Sequence, residues 1–137
     1  KTEDQLTLQL TKNNDIISTV ANHHSRPYVV GFAAETENVI EHARDKLLRK
    51  NLDMIAANDV SKSSEGKTDI GFNSEYNALH VLWRDNKPEH NSQQTVKQTI
   101  GERHFGTSRK SRLAKQLISL IAKQYKTSKK HNAQNTA

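Results

Sequence analysis

The chain has 137 residues, 33% of them hydrophobic, no cysteine, and 21 basic against 15 acidic side chains. That length suits one domain and hardly two, and the lack of cysteine removes disulfides, thiol nucleophiles and thiolate metal sites together. No apolar run approaches the roughly 18 residues of a membrane span, and no signal-peptide core precedes the first polar stretch.

The formal charge of +6 is unevenly placed. Glu102 is the last acidic residue and nine Lys or Arg follow it, leaving 12 basic and 15 acidic groups in residues 1–102. A nucleic-acid reading of the basic balance can therefore rest only on the tail.

Leu6, Leu8 and Leu10 alternate with threonine and glutamine, the period of a strand with one buried face. Asn13, Asn14 and Asp15 then supply N-cap acceptors for a helix striped by Ile16, Ile17 and Val20. The continuous apolar run at residues 28–34 predicts a strand covered on both faces. A second helix is expected from Glu35 or Thr36 to about Asn51, followed by a buried strand at residues 52–57. Strand, helix, strand, helix, strand is the pattern of an open α/β sheet.

Residues 61–69, rich in Ser, Lys, Glu and Gly, read as a mobile loop. Alternation returns at residues 78–83, with Leu79, Val81 and Trp83 on one face and His80 and Leu82 on the other. Residues 84–110 hold few apolar side chains and read as a linker, mostly disordered. Helical spacing reappears at residues 111–125, with Leu113, Leu117, Leu120 and Ile121 aligned. Residues 126–137 read as a disordered basic tail. With only two crossovers, residues 1–83 look like the later part of a larger α/β domain, to which the last helix also belongs.

Several residues are candidates for chemistry. At about 100° per residue, Lys46 and Lys50 fall within roughly 20° of Val39, on the inner stripe of the second helix. Like charges one turn apart repel, and a polyphosphate would convert that repulsion into a clamp. Alternatively, the helix dipole simply favours cations in its last turn. The amides around Asn14, Asp15, Ile16 and Ile17 open a helix and could meet a phosphate, or serve only as a cap. Phe32 ends a buried strand, where open sheets place ligands, so it could stack on a base or belong to the core. Neither dinucleotide nor Walker glycine motifs occur. Seven histidines show no ligand spacing, so no metal site is expected. The basic tail reads first as solvated, with RNA or membrane binding as its alternative.

Four motifs in order then point to a family. Leu6-Thr7-Leu8 with Lys12-Asn13-Asn14-Asp15-Ile16-Ile17 is similar to an "LTL…KNPDI" segment, and Arg26-Pro27 through Glu35-Thr36 to "RPxxVGFAAET". Residues 50–60 match "KxLDxIxANDV", and Gly71-Phe72-Asn73-Ser74 with Asn77-Ala78 matches "GFNSxxNA". Together they resemble bacterial phosphopantothenate–cysteine ligase, usually the C-terminal half of a bifunctional decarboxylase/ligase of coenzyme A synthesis.

The resemblance implies a three-layer, Rossmann-like α/β sheet with an antiparallel strand pair for dimerisation, Leu6, Leu8 and Val81 being in that interface. It implies that CTP, carried with Mg²⁺, activates 4'-phosphopantothenate as an acyl-cytidylate before the cysteine amine attacks. CTP would meet Asn14, Asp15, Ile16, Ile17, Phe32, Lys46 and Lys50; Asn14 replaces the family's usual proline. FMN belongs to the decarboxylase half, outside this chain. The acyl-intermediate residues and a flexible lysine flap are expected upstream of Lys1, so the 137 residues alone are expected to be inactive. A cytoplasmic homodimer or larger homo-oligomer, with no membrane or nucleic-acid partner, completes that expectation. The alternatives are a nucleotide-binding and dimerisation module without activity, and a basic-tailed nucleic-acid binder.

Overall fold

The computed structural model describes residues 7–59, 74–85 and 99–134. In chain order the elements are α1 (Ile16–Ala21), β1 (Val30–Glu35), α2 (Val39–Arg49), β2 (Met54–Asp59), β3 (Tyr76–Asp85), β4 (Thr99–Arg109) and α3 (Lys110–Gln134). The strands form one sheet in the order β1-β2-β3-β4. β1 and β2 run parallel, Val30 opposite Met54 and Glu35 opposite Asp59, while β2–β3 and β3–β4 are antiparallel. The class is α/β, as expected, with a mixed sheet.

The period-2 alternation of the strands builds three layers. From β2, Ile55 and Ala57 point to one face and pack with Ala21 of α1, Ala43 and Leu47 of α2, and Leu82. Met54 and Ala56 point to the other face, with Leu79, Val81 and Phe105 beneath Leu113, Leu117 and Leu120 of α3. The faces of β3 and the stripe of α3 are those the sequence periodicity predicts. Fully burying a leucine such as Leu47 or Leu82 stabilises by about 1.5–3 kcal/mol, so these two clusters fix the layers.

Local chemistry explains the boundaries. Lys50 caps α2, and Asn51 follows with φ 56, a left-handed residue. The Asn51 N–H donates to Leu48 O at 3.1 Å and the Leu52 N–H to Leu47 O at 3.0 Å. That is the Schellman pattern, closed by contact of Leu52 with Leu47 in the core. A Cβ at Gly31 would lie 2.6 Å from Leu52 Cδ1, so a side chain at this strand position would have to displace the buried Leu52. Asp53 Oδ2 accepts from the Val29 N–H at 2.6 Å and from Arg26 Nη2, fixing the chain as it enters β1.

Several expectations are corrected. Residues 7–15 form no strand, and Leu8 and Leu10 are 71% and 91% exposed. Alternation makes a strand only beside another strand, and β1 ends the described sheet without one on its outer side. In α1 the inward residues are Ile17 and Ala21, while Ile16 and Val20 face solvent. Glu35 closes β1 rather than opening α2, which begins at Val39 after left-handed Asn38.

The expected linker contains β4, which pairs with β3 from Tyr76–Arg109 to Asp85–Thr99. It needs few apolar residues because its packing is confined to Phe105 on the α3 side and half-buried Ile100 on the α2 side, with Gly101 beneath the Trp83 ring. The expected disordered tail continues α3 through Gln134. The loop expected at residues 61–69 lies outside the described residues.

Candidate functional site

The inner arc of α2 faces two carboxylates, Asp15 at the entry to α1 and Glu35 at the C-terminal end of β1. Asp15 caps α1, its Oδ1 accepting from the Ser18 N–H at 3.2 Å. Its second oxygen, Oδ2, lies 2.9 Å from Lys50 Nζ. The Lys50 hydrogen bond, then the Ser18 amide, hold the Asp15 carboxyl below the usual carboxylate range. One helical turn earlier, Lys46 donates to Glu35 Oε1. His42 Nδ1 stands 3.5 Å from the other oxygen of Glu35, whose side chain is buried at the strand end. Lys46 and Lys50 thus share the inner arc their spacing predicts.

Each lysine, however, already has a carboxylate. The four charges sum to zero, so the pair is not a free cationic clamp. An incoming anion must take the ammonium groups from Glu35 and Asp15, and their partial exposure, 35% and 26%, lets them swing. Asn51 ties this corner together: its Nδ2 donates to Ala21 O at 3.0 Å and lies 3.2 Å from Asn22 Oδ1, anchoring the end of α1 to the end of α2.

Phe32 lies elsewhere. Gly31, Ala33 and Glu35 face α2, so alternation turns Phe32 to the α3 face, where it is 71% exposed. There it borders a largely apolar cleft of about 530 Å³ with Ala34, Asn58, Leu113 and Leu117. The Asn58 Oδ1 in that cleft is buried without a hydrogen-bond partner among the described residues. The structure therefore brings Asp15, Ile17, Lys46 and Lys50 to one side of β1, with Ile16 and Asn14 exposed at the entry to α1, and leaves the Phe32 ring on the other.

Among the expected interface residues, Leu6 lies outside the described residues and Leu8 is exposed. Val81 is fully buried in this chain's own core beneath α3, so its side chain is spent within the fold. Glu35, His42 and Asn51 were not singled out from the sequence. Glu35 does carry a signal, a charge directly following a buried strand, but its partner stands 11 positions away. No cluster of three metal-ligating side chains occurs among the described residues, and none of their helices is long and apolar enough to cross a membrane.

The profile of the DNA/pantothenate metabolism flavoprotein C-terminal domain family matches residues 1–125. The chain belongs to this family. Among curated relatives of this flavoprotein C-terminal domain family, the Escherichia coli K12 coenzyme A biosynthesis bifunctional protein CoaBC is 57% identical over 83 residues, 60% of this chain and 19% of that protein. The Haemophilus influenzae CoaBC is 40% identical over 126 residues, 91% of this chain and 26% of that protein. The chain thus spans a fifth to a quarter of the length of these relatives. A solved C-terminal domain of a CoaBC superposes with a TM-score of 0.55 at 26% identity, covering 82% of this chain and 42% of that one. This domain family and the α/β fold are therefore shared.

Proposed function

We propose that this chain forms part of the nucleotide site of a CTP-dependent ligase that joins 4'-phosphopantothenate to cysteine in coenzyme A biosynthesis. The observation that carries the reading is the alignment of Lys46 and Lys50 on the inner arc of α2, with Lys46 reaching Glu35 at the C-terminal end of β1, where α/β sheets collect ligands, and Lys50 reaching Asp15 at the entry to α1. The relatives' role in coenzyme A biosynthesis supports the pathway.

On this reading the triphosphate arrives with Mg²⁺ and draws Lys46 from Glu35 and Lys50 from Asp15. Each lysine exchanges one charge-assisted hydrogen bond for another, so the exchange is favoured by the greater charge of the phosphates. Glu35 and Asp15 hold the ammonium groups in place before the nucleotide binds. The α1 entry at Asn14, Asp15, Ile16 and Ile17 flanks the phosphates, and the Phe32 cleft lies within reach only around the rim of β1. CTP supplies the activation of the carboxylate; these side chains orient it.

The chain spans 42% of the solved domain it resembles, and on this reading the 137 residues bind CTP without turning it over. Calorimetric titration of CTP with Mg²⁺ tests the site. Lys46→Ala/Lys50→Ala should weaken binding at least tenfold while far-UV circular dichroism stays unchanged. Equal affinity in the double variant refutes the assignment, and CTP-dependent product from the purified chain refutes the inactivity.

A further inference from the structure

Six of the nine cations after Glu102 acquire an order in the structure that the sequence did not reveal. α3 runs without break from Lys110 to Gln134 and contains no acidic residue. With Leu117 as the centre of the buried face, roughly 100° per residue puts Arg112, Lys115, Lys123, Lys126 and Lys130 within an arc of about 80° on the opposite side. All five are exposed. From Arg112 to Lys130 the stripe extends about 27 Å at about 1.5 Å per residue. None of the five forms an ion pair with a carboxylate among the described residues.

Beside the stripe, Arg103 of β4 converges with Lys115 and Lys123 on a groove of about 350 Å³. Gln116 and Ser119 supply further polar groups, and no carboxylate lines the groove. The Arg103 guanidinium stands 5.2 Å from the Phe105 ring centroid, which limits its freedom. Cations also occupy the first turn of α3, where the helix dipole favours anions. These charges oppose one another unless something negative lies along them.

We propose that the outer face of α3, with Arg103, docks the phosphate backbone of duplex nucleic acid without reading its sequence. The residue chemistry selects among polyanions. A bilayer would require an apolar face, and the apolar face of α3 is already buried against β2, β3 and β4. An acidic protein would be expected to find a large apolar or aromatic anchor, and the charged arc contains none. A phosphate backbone needs only Lys, Arg and small polar side chains in a line, which the arc supplies. The site lies on the sheet face opposite Lys46 and Lys50 and is independent of the nucleotide reading.

The test is fluorescence anisotropy of a labelled 20-base-pair DNA duplex with the full chain. If about four phosphates are neutralised, affinity should fall roughly a hundredfold between 50 and 200 mM NaCl. Arg112→Gln/Lys115→Gln/Lys123→Gln/Lys126→Gln should weaken binding at least tenfold at 50 mM and flatten the salt dependence. Lys115→Arg/Lys123→Arg/Lys126→Arg should retain binding, which separates charge from folding. Unchanged affinity in the glutamine variant, or affinity indifferent to salt, overturns the proposal. So does polyglutamate that competes as well as unlabelled duplex, or phosphatidylserine vesicles that bind the chain when duplex does not.

Discussion

Asn51 offers a way to measure how much of the corner between α1 and α2 depends on one residue. Asn51→Gly keeps the left-handed backbone at φ 56 but removes both side-chain contacts, to Ala21 O and Asn22 Oδ1. The part-buried bond to Ala21 contributes about 1 kcal/mol and the exposed one a few tenths. Extra freedom of glycine in the unfolded chain costs about 0.5 kcal/mol, partly offset by relief of the left-handed conformation. The loss should be about 1–1.5 kcal/mol.

Asn51→Ala loses the same contacts and keeps the Cβ in that conformation without the polar side chain that lets asparagine tolerate it, so it should be about 1 kcal/mol less stable than the glycine variant. Urea unfolding followed by far-UV circular dichroism gives both numbers, provided the slopes match the parent's. Glycine as stable as asparagine would mean that the side-chain contacts contribute nothing. Alanine and glycine equal within about 0.3 kcal/mol would remove the conformational part of the argument.

Two other perturbations probe separate regions. A Cβ at Gly101 would stand 2.2–2.5 Å from three atoms of the Trp83 indole, so Gly101→Ala should destabilise by about 1–3 kcal/mol. Because Trp83 is the sole tryptophan, its emission should shift; an unchanged spectrum and midpoint would refute the contact. Burial, and secondarily Asp53, pushes the Tyr28 hydroxyl up to about 12. The folded state therefore favours the neutral phenol, and the stability this brings is present below about pH 10 and lost as pH rises toward 12. Absorbance titration should show a tyrosinate step near 12 that Tyr28→Phe removes, and a step that persists in that variant contradicts the assignment.

The parts of this fold legible in the sequence are those where a period has a single cause. Leu79, Val81 and Trp83 separate from His80 and Leu82 because a strand has two faces, and Leu113, Leu117 and Leu120 align because α3 has one core to cover. Asp15 announces a cap because few other residue types satisfy a helix's first amides. What stayed hidden depends on partners distant in sequence. β4 is nearly devoid of apolar residues, and its place comes from pairing with β3 and the packing of Phe105 under α3. The threonine–leucine alternation at residues 6–11 carries a strong strand signal that no described neighbour fulfils. In the candidate site the lysine spacing was visible, but not the buried Glu35 that neutralises Lys46, because that pairing exists only once α2 folds back over β1.

The alternation of β1 also constrains the shape of anything bound at its end. Glu35 with Lys46 faces one layer and Phe32 the other, and the helix layers on a sheet's two sides are separated by roughly 20 Å, about 10 Å each way. A ligand that touches both must bend over the strand's rim like a staple over a page. A compact anion would sit wholly on the lysine side, and a flat aromatic wholly in the Phe32 cleft. A molecule with a ring at one end and a chain of phosphates at the other has the reach to do both, so at this strand end length and curvature discriminate between ligands before any single hydrogen bond does.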